Sequence, residues 1–206
     1  MERTGIVLVI CGPSGTGKTT LIKMLMKEFS EIGYSTSYTT RPPRAKEVPG
    51  QDYNFISHKE FLDLRSAGYF AEWAEVYGNF YGTPLNLTLD ILHTGKDVLF
   101  DIDVQGASQL KRTLPVGCYV FILPPSLQVL EERMRTRALD SEEAIQQRLQ
   151  AARAEIRESH WFDVWIVNDD LHSAYYALRS VYIAATLAPK RQPSILTNLL
   201  DGKTVP

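Results

Sequence analysis

An apolar run that leads directly into a glycine-rich turn is the feature of this sequence that most constrains its fold. The run at 6–11 reads IVLVIC, and the turn at 12–19 reads GPSGTGKT, which satisfies the pattern G-x-x-x-x-G-K-[ST]. Glycines let a backbone turn tightly and aim its N–H groups at phosphate oxygens, and a helix that begins at Lys18 adds the positive end of its dipole. An ordinary glycine-rich turn between a strand and a helix would not need the Lys18-Thr19 pair. The sequence therefore predicts a phosphate-binding loop for a nucleoside triphosphate.

The same pattern indicates what two side chains of this loop do. In such loops the lysine reaches the β- and γ-phosphates, and the hydroxyl that follows it ligates Mg²⁺. We predict these roles for Lys18 and Thr19. The predicted triphosphate site consists of Gly12, Pro13, Ser14, Gly15, Thr16, Gly17, Lys18, Thr19 and Thr20.

Length and charge argue against several classes of protein. The 206 residues fit one compact domain with a continuous core. A net charge of −2 argues against a protein that binds nucleic acid through a strongly basic face. No apolar stretch approaches membrane-spanning length and the N-terminus lacks the apolar region of a signal peptide, so we expect no membrane partner and a cytoplasmic location. Cys11 and Cys118 lie in strand-like runs and are expected to be small buried apolar residues.

Strand and helix patterns alternate along most of the chain, which predicts an α/β fold with a parallel sheet flanked by helices. Further strands are expected at 97–103, 118–123 and 164–167, and further helices after Ser126, from about 141 to 158 and from 171 to 187. Ligands of open parallel sheets bind beyond the carboxyl ends of the strands. The glycine-rich loop, Asp101, Asp103 and the segment after Val167 are therefore expected to share one cleft.

One segment breaks this alternation. Residues 34–92 are rich in aromatic and polar side chains, and they are too numerous for a loop in a compact domain. Short alternating pieces such as 53–56 predict a small antiparallel sheet, with a helix near 58–66. We interpret the segment as a substrate-binding insertion between core segments 1–33 and 93–187 of a single domain, 1–206. The polar tail, 188–206, is expected to be loosely ordered or to pack on a neighbour.

Several short blocks outside the loop carry a more specific signal. They are SYTTRPPR at 37–44, Glu47, Gly50, DYNF at 52–55, EWA at 72–74, GNFYGT at 78–83, DIDVQG at 101–106, PPS at 124–126, Arg133 with Arg137, RL at 148–149 and VNDD at 167–170. In this order, across about residues 6 to 187, they resemble the guanylate kinases, a family of nucleoside monophosphate kinases.

This resemblance implies a fold and an activity. The implied fold is a P-loop core with an inserted small α+β subdomain that binds the nucleoside monophosphate, and a helical lid at about 133–150. The implied reaction is phosphorylation of GMP, and less readily of dGMP, with ATP as the phosphoryl donor and Mg²⁺ as the cofactor. The protein is expected to be a monomer or a weak homo-oligomer.

The resemblance and the chemistry of GMP together assign the acceptor site. Two permanently charged guanidinium groups with two phenol hydroxyls suit an acceptor phosphate, and a carboxylate with two hydroxyls suits the N1–H, N2–H₂ and O6 edge of guanine. The phosphate set is Arg41, Arg44, Tyr53 and Tyr81, with Glu47 from the same block, and the guanine set is Ser37, Glu72 and Thr83. Asp103 is expected to accept from N2, and Asp101 to lie near the metal or Arg41.

The resemblance also implies catalytic side chains from the lid. Phosphoryl transfer asks a protein mainly for positioning and charge neutralisation. We expect Arg133, Arg137 and Arg148 to act in catalysis together with Lys18 and Arg41, and Asn168 and Asp169 to bind ATP. Residues 138–140, ALD, depart from the glycine-rich polar residues common in the family, so the arginine that dominates is left open.

Two other interpretations are weighed against this one. A kinase of the same fold that acts on a ribose phosphate needs no guanine pocket, so Ser37, Glu72 and Thr83 together count against it. A non-catalytic interaction module of this fold has a degraded phosphate loop, whereas Lys18 and Thr19 are intact here.

Overall fold

The computed structural model describes residues 5–45, 47–76, 78–114, 116–137 and 141–204, apart from the side chains of Arg137 and Lys190. The strands are β1 Val7–Cys11, β2 Gly33–Tyr34, β3 Tyr38–Thr39, β4 Asn54–Phe55, β5 Phe70–Val76, β6 Asn79–Pro84, β7 Val98–Asp101, β8 Gly117–Leu123 and β9 Val164–Val167. The helices are α1 Lys18–Glu28, α2 His58–Ser66, α3 Leu85–His93, α4 Val104–Thr113, α5 Leu127–Arg137, α6 Glu142–Glu158, α7 Leu171–Thr186 and α8 Ser194–Leu200. Short 3₁₀ helices span Ser159–Trp161 and Pro189–Arg191. Among these helices, none is both long and apolar enough to cross a membrane.

A five-stranded parallel sheet in the order β2-β7-β1-β8-β9 forms the core. Strand β1 lies in its centre and is buried on both faces, as the uninterrupted apolar run at its position predicts. Ile6, Leu8 and Ile10 pack with α1 and α7 on one face, while Val9 and Cys11 pack with α4 on the other. The predicted α/β fold with a parallel sheet flanked by helices is confirmed.

A second sheet of four strands, in the order β4-β3-β6-β5, lies within the segment 34–92. Strand β6 pairs antiparallel with both β3 and β5, but β3 and β4 run parallel, with Tyr38 opposite Asn54. The prediction of a purely antiparallel sheet is therefore wrong for β4. The chain between β3 and β4 is long enough to return and start again in the same direction, which a short hairpin turn cannot do.

Helix α2 closes one side of this small sheet. Its start is fixed by a capping box in which the Ser57 hydroxyl accepts from the Glu60 N–H and the Glu60 carboxylate accepts from the Ser57 N–H. Phe61 is fully buried, and its ring stacks on Phe70 and Phe80 at centroid distances of 4.6 and 5.2 Å. The aromatic composition of the segment thus supplies a small core of its own.

Both ends of the segment 34–92 pack with the parallel sheet. Tyr34 pairs with Leu99 as the last residue of β2, and Leu92 of α3 is buried against β7. The strand expected at 97–103 is also shorter, because it ends at Asp101 and Asp103 caps α4.

The chain after α7 is anchored more firmly than its polar sequence predicts. Arg191 is buried, and its guanidinium donates to the carbonyls of Gly5 at 2.8 Å and Val116 at 2.6 Å. The expectation of a loosely ordered tail is therefore wrong for this turn. Cys11 is buried and Cys118 is half-buried.

Candidate active site

The glycine-rich loop is held in shape by contacts along its own backbone and by one distant side chain. The Thr16 hydroxyl donates to the Pro13 carbonyl at 2.8 Å, and the Asn168 amide donates to the Thr16 carbonyl at 2.7 Å. Gly17 has φ +92°, and a Cβ at this position would overlap the Asn168 amide nitrogen. Only glycine suits both the conformation and the close approach. Asn168 therefore lies at the loop and packs against its backbone, and its binding of ATP stays a prediction.

Lys18 and Thr19 follow the loop at the first turn of α1. The Lys18 ammonium folds back over the loop and donates to the Gly12 carbonyl and, at 3.3 Å, to the Pro13 carbonyl. The Thr19 side chain is exposed, as is that of Thr20. Gly17, the N-cap of α1, provides no side-chain cap, and the Thr20 N–H donates to the Gly17 carbonyl at 3.1 Å. The positive end of the helix dipole at Lys18 and Thr19 favours phosphate oxygens.

A single cleft of about 350 Å³ lies between the two sheets at the carboxyl ends of the parallel strands. Ten of the 24 predicted site residues line it, from the loop, from the second sheet and from the end of β7. The predicted residues on its walls are Gly12, Ser14, Lys18, Thr19, Ser37, Tyr53, Glu72, Tyr81, Asp101 and Asp103. The lining residues do not include four predicted residues of the acceptor site, Arg41, Arg44, Glu47 and Thr83. Of these, Arg41 lies against Tyr53 and Thr83 donates to Glu72, and both of those neighbours line the cleft.

Glu72 forms the centre of the proposed guanine pocket. It lies on β5 and is 4% exposed, and its Oε1 accepts from the Thr83 hydroxyl of the adjacent strand at 2.5 Å. The Ser37 hydroxyl lies 3.3 Å from that of Thr83. Because the Thr83 proton is donated to Glu72, Ser37 is the donor in its contact with Thr83. Ser37 lines the cleft and Thr83 does not. Burial, together with the nearby Asp103, raises the pKa of Glu72 to about 7, against the effect of the Thr83 hydrogen bond.

Helix α4 approaches Glu72 closely from behind. Gly106 lies in its first turn, and a Cβ there would overlap the second carboxylate oxygen of Glu72. Asp103 caps the same helix by accepting from the Gly106 N–H at 2.8 Å. Gln109, one turn further on, donates to the Trp73 carbonyl at 2.6 Å and so fixes α4 to β5. Asp103 therefore combines the cap role with a place on the cleft wall.

Arg41 is held in an ion pair at the edge of the second sheet. Its Nη2 lies 2.8 Å from Glu47 Oε1, and its Nη1 donates to Glu47 Oε2 at 3.0 Å. The guanidinium carbon also lies 5.4 Å from the centroid of the Tyr53 ring, and the Tyr53 and Tyr81 rings are 5.9 Å apart. The pair with Arg41 lowers the pKa of Glu47. Glu47 thus orients the arginine, while Arg44 is exposed and contributes its backbone N–H to Glu47 at 2.8 Å.

Asp101 ends β7 and faces the loop across the cleft. Burial raises the pKa of its carboxyl, and the charge of Lys18 opposes that shift. An oxygen-lined wall with Thr19 and Asp101 suits Mg²⁺, which is usually held by one or two protein oxygens together with phosphates and water. The described residues contain no group of three or more His, Cys, Asp or Glu side chains that could hold a metal ion.

The predicted lid consists of α5 and α6, which pack on each other through Leu130, Met134 and Leu149. The Ser126 hydroxyl caps α5 as the sequence predicts, by accepting from Val129 N–H at 3.1 Å. Two of the three lid arginines contact the triphosphate side of the cleft. Arg133 donates to the Asn168 carbonyl at 3.0 Å, and Arg148 donates to the Ser14 hydroxyl of the loop. The side chain of Arg137 and residues 138–140 lie outside the described residues, and Asp169 is exposed.

Sequence reasoning missed one charged residue on the cleft wall. Glu155 lies on α6 and lines the cleft together with the apolar side chains of Ala74, Val76 and Ile102. The only signal in the sequence was spacing, since Glu155 follows Arg148 by seven residues, two helical turns, and so shares its face of the helix.

We compared the chain with known proteins. It matches the family model for guanylate kinase over residues 4–185. It is 58% identical over 199 residues to the guanylate kinase of Oleidesulfovibrio alaskensis, with 97% of each chain covered, and 59% identical over 201 residues to that of Nitratidesulfovibrio vulgaris, with 98% of this chain and 97% of the relative covered. The fold matches the crystal structure of the guanylate kinase from Anaplasma phagocytophilum with a TM-score of 0.79 and 33% identity, over 96% of this chain and 95% of the other.

Proposed function

Because this chain belongs to the guanylate kinase family, we propose that its cleft transfers the γ-phosphoryl group of ATP to GMP. One observation carries this proposal. The loop lysine and a buried carboxylate of the second sheet line the same cavity, so a polyphosphate and a purine base fit into one continuous cleft. The products are ADP and GDP, and dGMP is included as a poorer acceptor.

The acceptor half of the cleft is proposed to recognise guanine by its hydrogen bonds. Glu72 offers carboxylate oxygens to N1–H and N2–H₂, and Ser37 offers a hydroxyl proton to O6. Adenine presents the opposite pattern of donors and acceptors, and it would leave the Glu72 carboxylate with the Thr83 hydroxyl but no donor from the base. Loss of hydrogen bonds to a buried charge is costly, so this pattern supports selection of GMP over AMP.

The acceptor phosphate is proposed to lie between the second sheet and the loop. Arg41 is held near Tyr53 by Glu47, and Tyr53 and Tyr81 both line the cleft. A guanidinium of fixed orientation with phenol hydroxyls matches the geometry of a phosphate dianion. No general base is required, because the acceptor oxygen is already ionised at neutral pH.

The donor half is proposed to bind and neutralise the triphosphate. The N–H groups at the start of α1 and the Lys18 ammonium are placed for the phosphates, and Arg133 and Arg148 approach the loop from the lid. Thr19 and Asp101 are proposed to hold Mg²⁺, which neutralises phosphate charge when bound. Catalysis then rests on alignment of two polyanions and on the cations that surround them.

The activity is tested by ADP release with ATP as donor and GMP, AMP, UMP or ribose 1,5-bisphosphate as acceptor. We expect GMP to be used with a kcat/KM about 10⁴-fold above that of AMP, since a site built to hydrogen-bond a substrate group rejects analogues that lack it. Preferential use of ribose 1,5-bisphosphate would contradict the proposal. A cytoplasmic location and a monomeric or weakly associating state stay predictions.

A further inference from the structure

Strand β5, which carries Glu72, is the last strand of the second sheet, whose order is β4-β3-β6-β5. In the described part of the chain, no strand pairs with its outer edge. The N–H and C=O groups along such an edge need other hydrogen-bond partners. Helix α4 lies beside this edge and provides partners from its side chains. The second sheet is thereby joined to a helix that packs on the parallel sheet.

Gln109 takes the place of a paired strand residue at this edge. Its side-chain amide accepts from the Trp73 N–H at 3.3 Å and donates to the Trp73 carbonyl at 2.6 Å. Two residues that face each other in an antiparallel ladder exchange the same pair of hydrogen bonds. One turn further on, the Thr113 hydroxyl lies 3.0 Å from the Ala71 carbonyl and 3.2 Å from that of Gln109. Both neighbours of Glu72 in the chain are thus held by α4.

Helix α4 is itself fixed to the parallel sheet. Val104, Ala107 and Leu110 are buried in one of the core clusters of that sheet. The N-cap of the helix, Asp103, lines the cleft together with Glu72. The position of α4 against β5 therefore determines the spacing between these two carboxylates.

We propose that Gln109 is a positioning residue that holds Glu72 and Asp103 at the spacing needed to bind the N2 amino group of guanine. This inference rests on the proposed function and on the expected contact of Asp103 with N2. The amino group is the part of the base that both carboxylates share, whereas N1–H and O6 depend on Glu72 and Ser37 of the segment 34–92. A looser contact between α4 and β5 should therefore harm the recognition of N2 most.

The test compares GMP with IMP, which lacks only the N2 amino group, as acceptors for Gln109→Met. This substitution keeps the length of the side chain and removes both hydrogen bonds to Trp73. We expect kcat/KM to fall about 10-fold for GMP and at most about threefold for IMP, because a small displacement of a positioned group is costly to the contact that it makes. The loss for GMP should lie mainly in KM.

A matched control is provided by Arg112→Met, which introduces the same side chain at an exposed position of the same helix. It is expected to leave the ratio of kcat/KM for GMP to that for IMP unchanged. An unchanged ratio in Gln109→Met would overturn the inference, whether both acceptors lose activity together or neither does. Should Gln109→Met not fold, Gln109→Glu keeps an acceptor for the Trp73 N–H and removes only the donor to its carbonyl. The ratio is expected to fall in that variant too, and an unchanged ratio there would equally overturn the inference.

Hydrogen exchange of the Trp73 N–H, measured in the protein without nucleotides, tests the contact separately from the reaction. We expect this N–H to exchange faster in Gln109→Met than in the unaltered protein and at an unchanged rate in Arg112→Met. An unchanged rate in Gln109→Met would show that Gln109 does not hold β5, which would also overturn the inference. If the unaltered protein failed to phosphorylate GMP, the proposed function would fall, while the exchange rate would still decide whether the contact exists.

Discussion

The loop that faces the triphosphate and the pocket proposed for guanine position their polar groups in different ways. The loop uses consecutive residues and backbone N–H groups, and Asn168 locks its shape through a carbonyl. The pocket uses single side chains that come from separate strands, with Glu72 buried beneath Thr83. Most side-chain substitutions leave the backbone N–H groups in place. A substitution in the pocket, by contrast, removes a hydrogen-bonding group that no neighbouring residue replaces. Substitutions should therefore separate the two halves of the site.

The largest effect is expected from a substitution of Lys18, whose positive charge is proposed to act on the phosphoryl group that is transferred. Lys18→Ala should lower kcat by at least about 10²-fold, because it removes a charge contact made mainly in the transition state. The fold should be unaffected, since the hydrogen bonds that the Lys18 ammonium makes to described residues go to the Gly12 and Pro13 carbonyls of the loop. Steady-state kinetics with GMP measure the change. Lys23→Ala, at an exposed position of the same helix, is the control and should match the unaltered protein.

The pocket should respond to the loss of a single carboxylate. Glu72→Gln is expected to lower kcat/KM for GMP about 50-fold, since an amide satisfies only part of the guanine donor pair and hydrogen bonds to a charged group contribute about 1.5–3 kcal/mol. Activity with IMP, which lacks the N2 amino group, should fall less. Glu75→Gln changes an exposed carboxylate on the same strand and should have no effect. Unchanged GMP kinetics in Glu72→Gln would show that the guanine pocket lies elsewhere.

The burial of Glu72 also predicts a pH dependence that the loop lacks. Its pKa of about 7 means that the carboxylate needed for guanine is mostly protonated at pH 6 and mostly ionised at pH 8. We expect kcat/KM for GMP to rise about 10-fold over this range and then to level off. The phosphate of GMP titrates nearby, so the informative quantity is the part of the profile that disappears in Glu72→Gln. An identical profile in that variant would contradict the assignment.

A smaller effect is expected from the helix behind the pocket. Gly106→Ala would place a methyl group against the Glu72 carboxylate, which is too buried to move away freely. We expect KM for GMP to rise about fivefold, although alanine favours helices over glycine by about 1 kcal/mol. The measurement is KM for GMP beside thermal unfolding. A stabilised protein with unchanged KM would indicate that Glu72 adjusts its position without cost.

The difference between the two regions also explains what could be predicted from the sequence. Strand β1, the loop and α1 are consecutive in the sequence. The local hydrophobic pattern and the spacing of the loop residues were therefore sufficient to predict them. The start of α6 was predicted from Ser141, whose hydroxyl accepts from the Ala144 N–H as expected of a cap. The family suggested by the scattered blocks is confirmed by the comparisons.

Features that depend on distant packing were not predictable in this way. The parallel pairing of β3 and β4 depends on the path of the chain between them, which short alternating patterns do not specify. The place of Glu155 on the cleft wall depends on how α6 packs over the loop, and the burial of Arg191 depends on two carbonyls far away in sequence. Neither Glu155 nor Arg191 has a local sequence signal that distinguishes it from a charged residue on the solvent-exposed surface.

The central claim, that the loop and the guanine pocket are separable sites in one cleft, is tested most directly by calorimetric titration of two variants. GMP is titrated into Lys18→Ala, and a non-hydrolysable ATP analogue with Mg²⁺ is titrated into Glu72→Gln. We expect each of these Kd values to stay within about threefold of that of the unaltered protein. In the reciprocal titrations, GMP should bind markedly more weakly to Glu72→Gln, and the analogue more weakly to Lys18→Ala. If Lys18→Ala weakened GMP binding as much as Glu72→Gln does, the two halves would not be separate and the claim would be wrong.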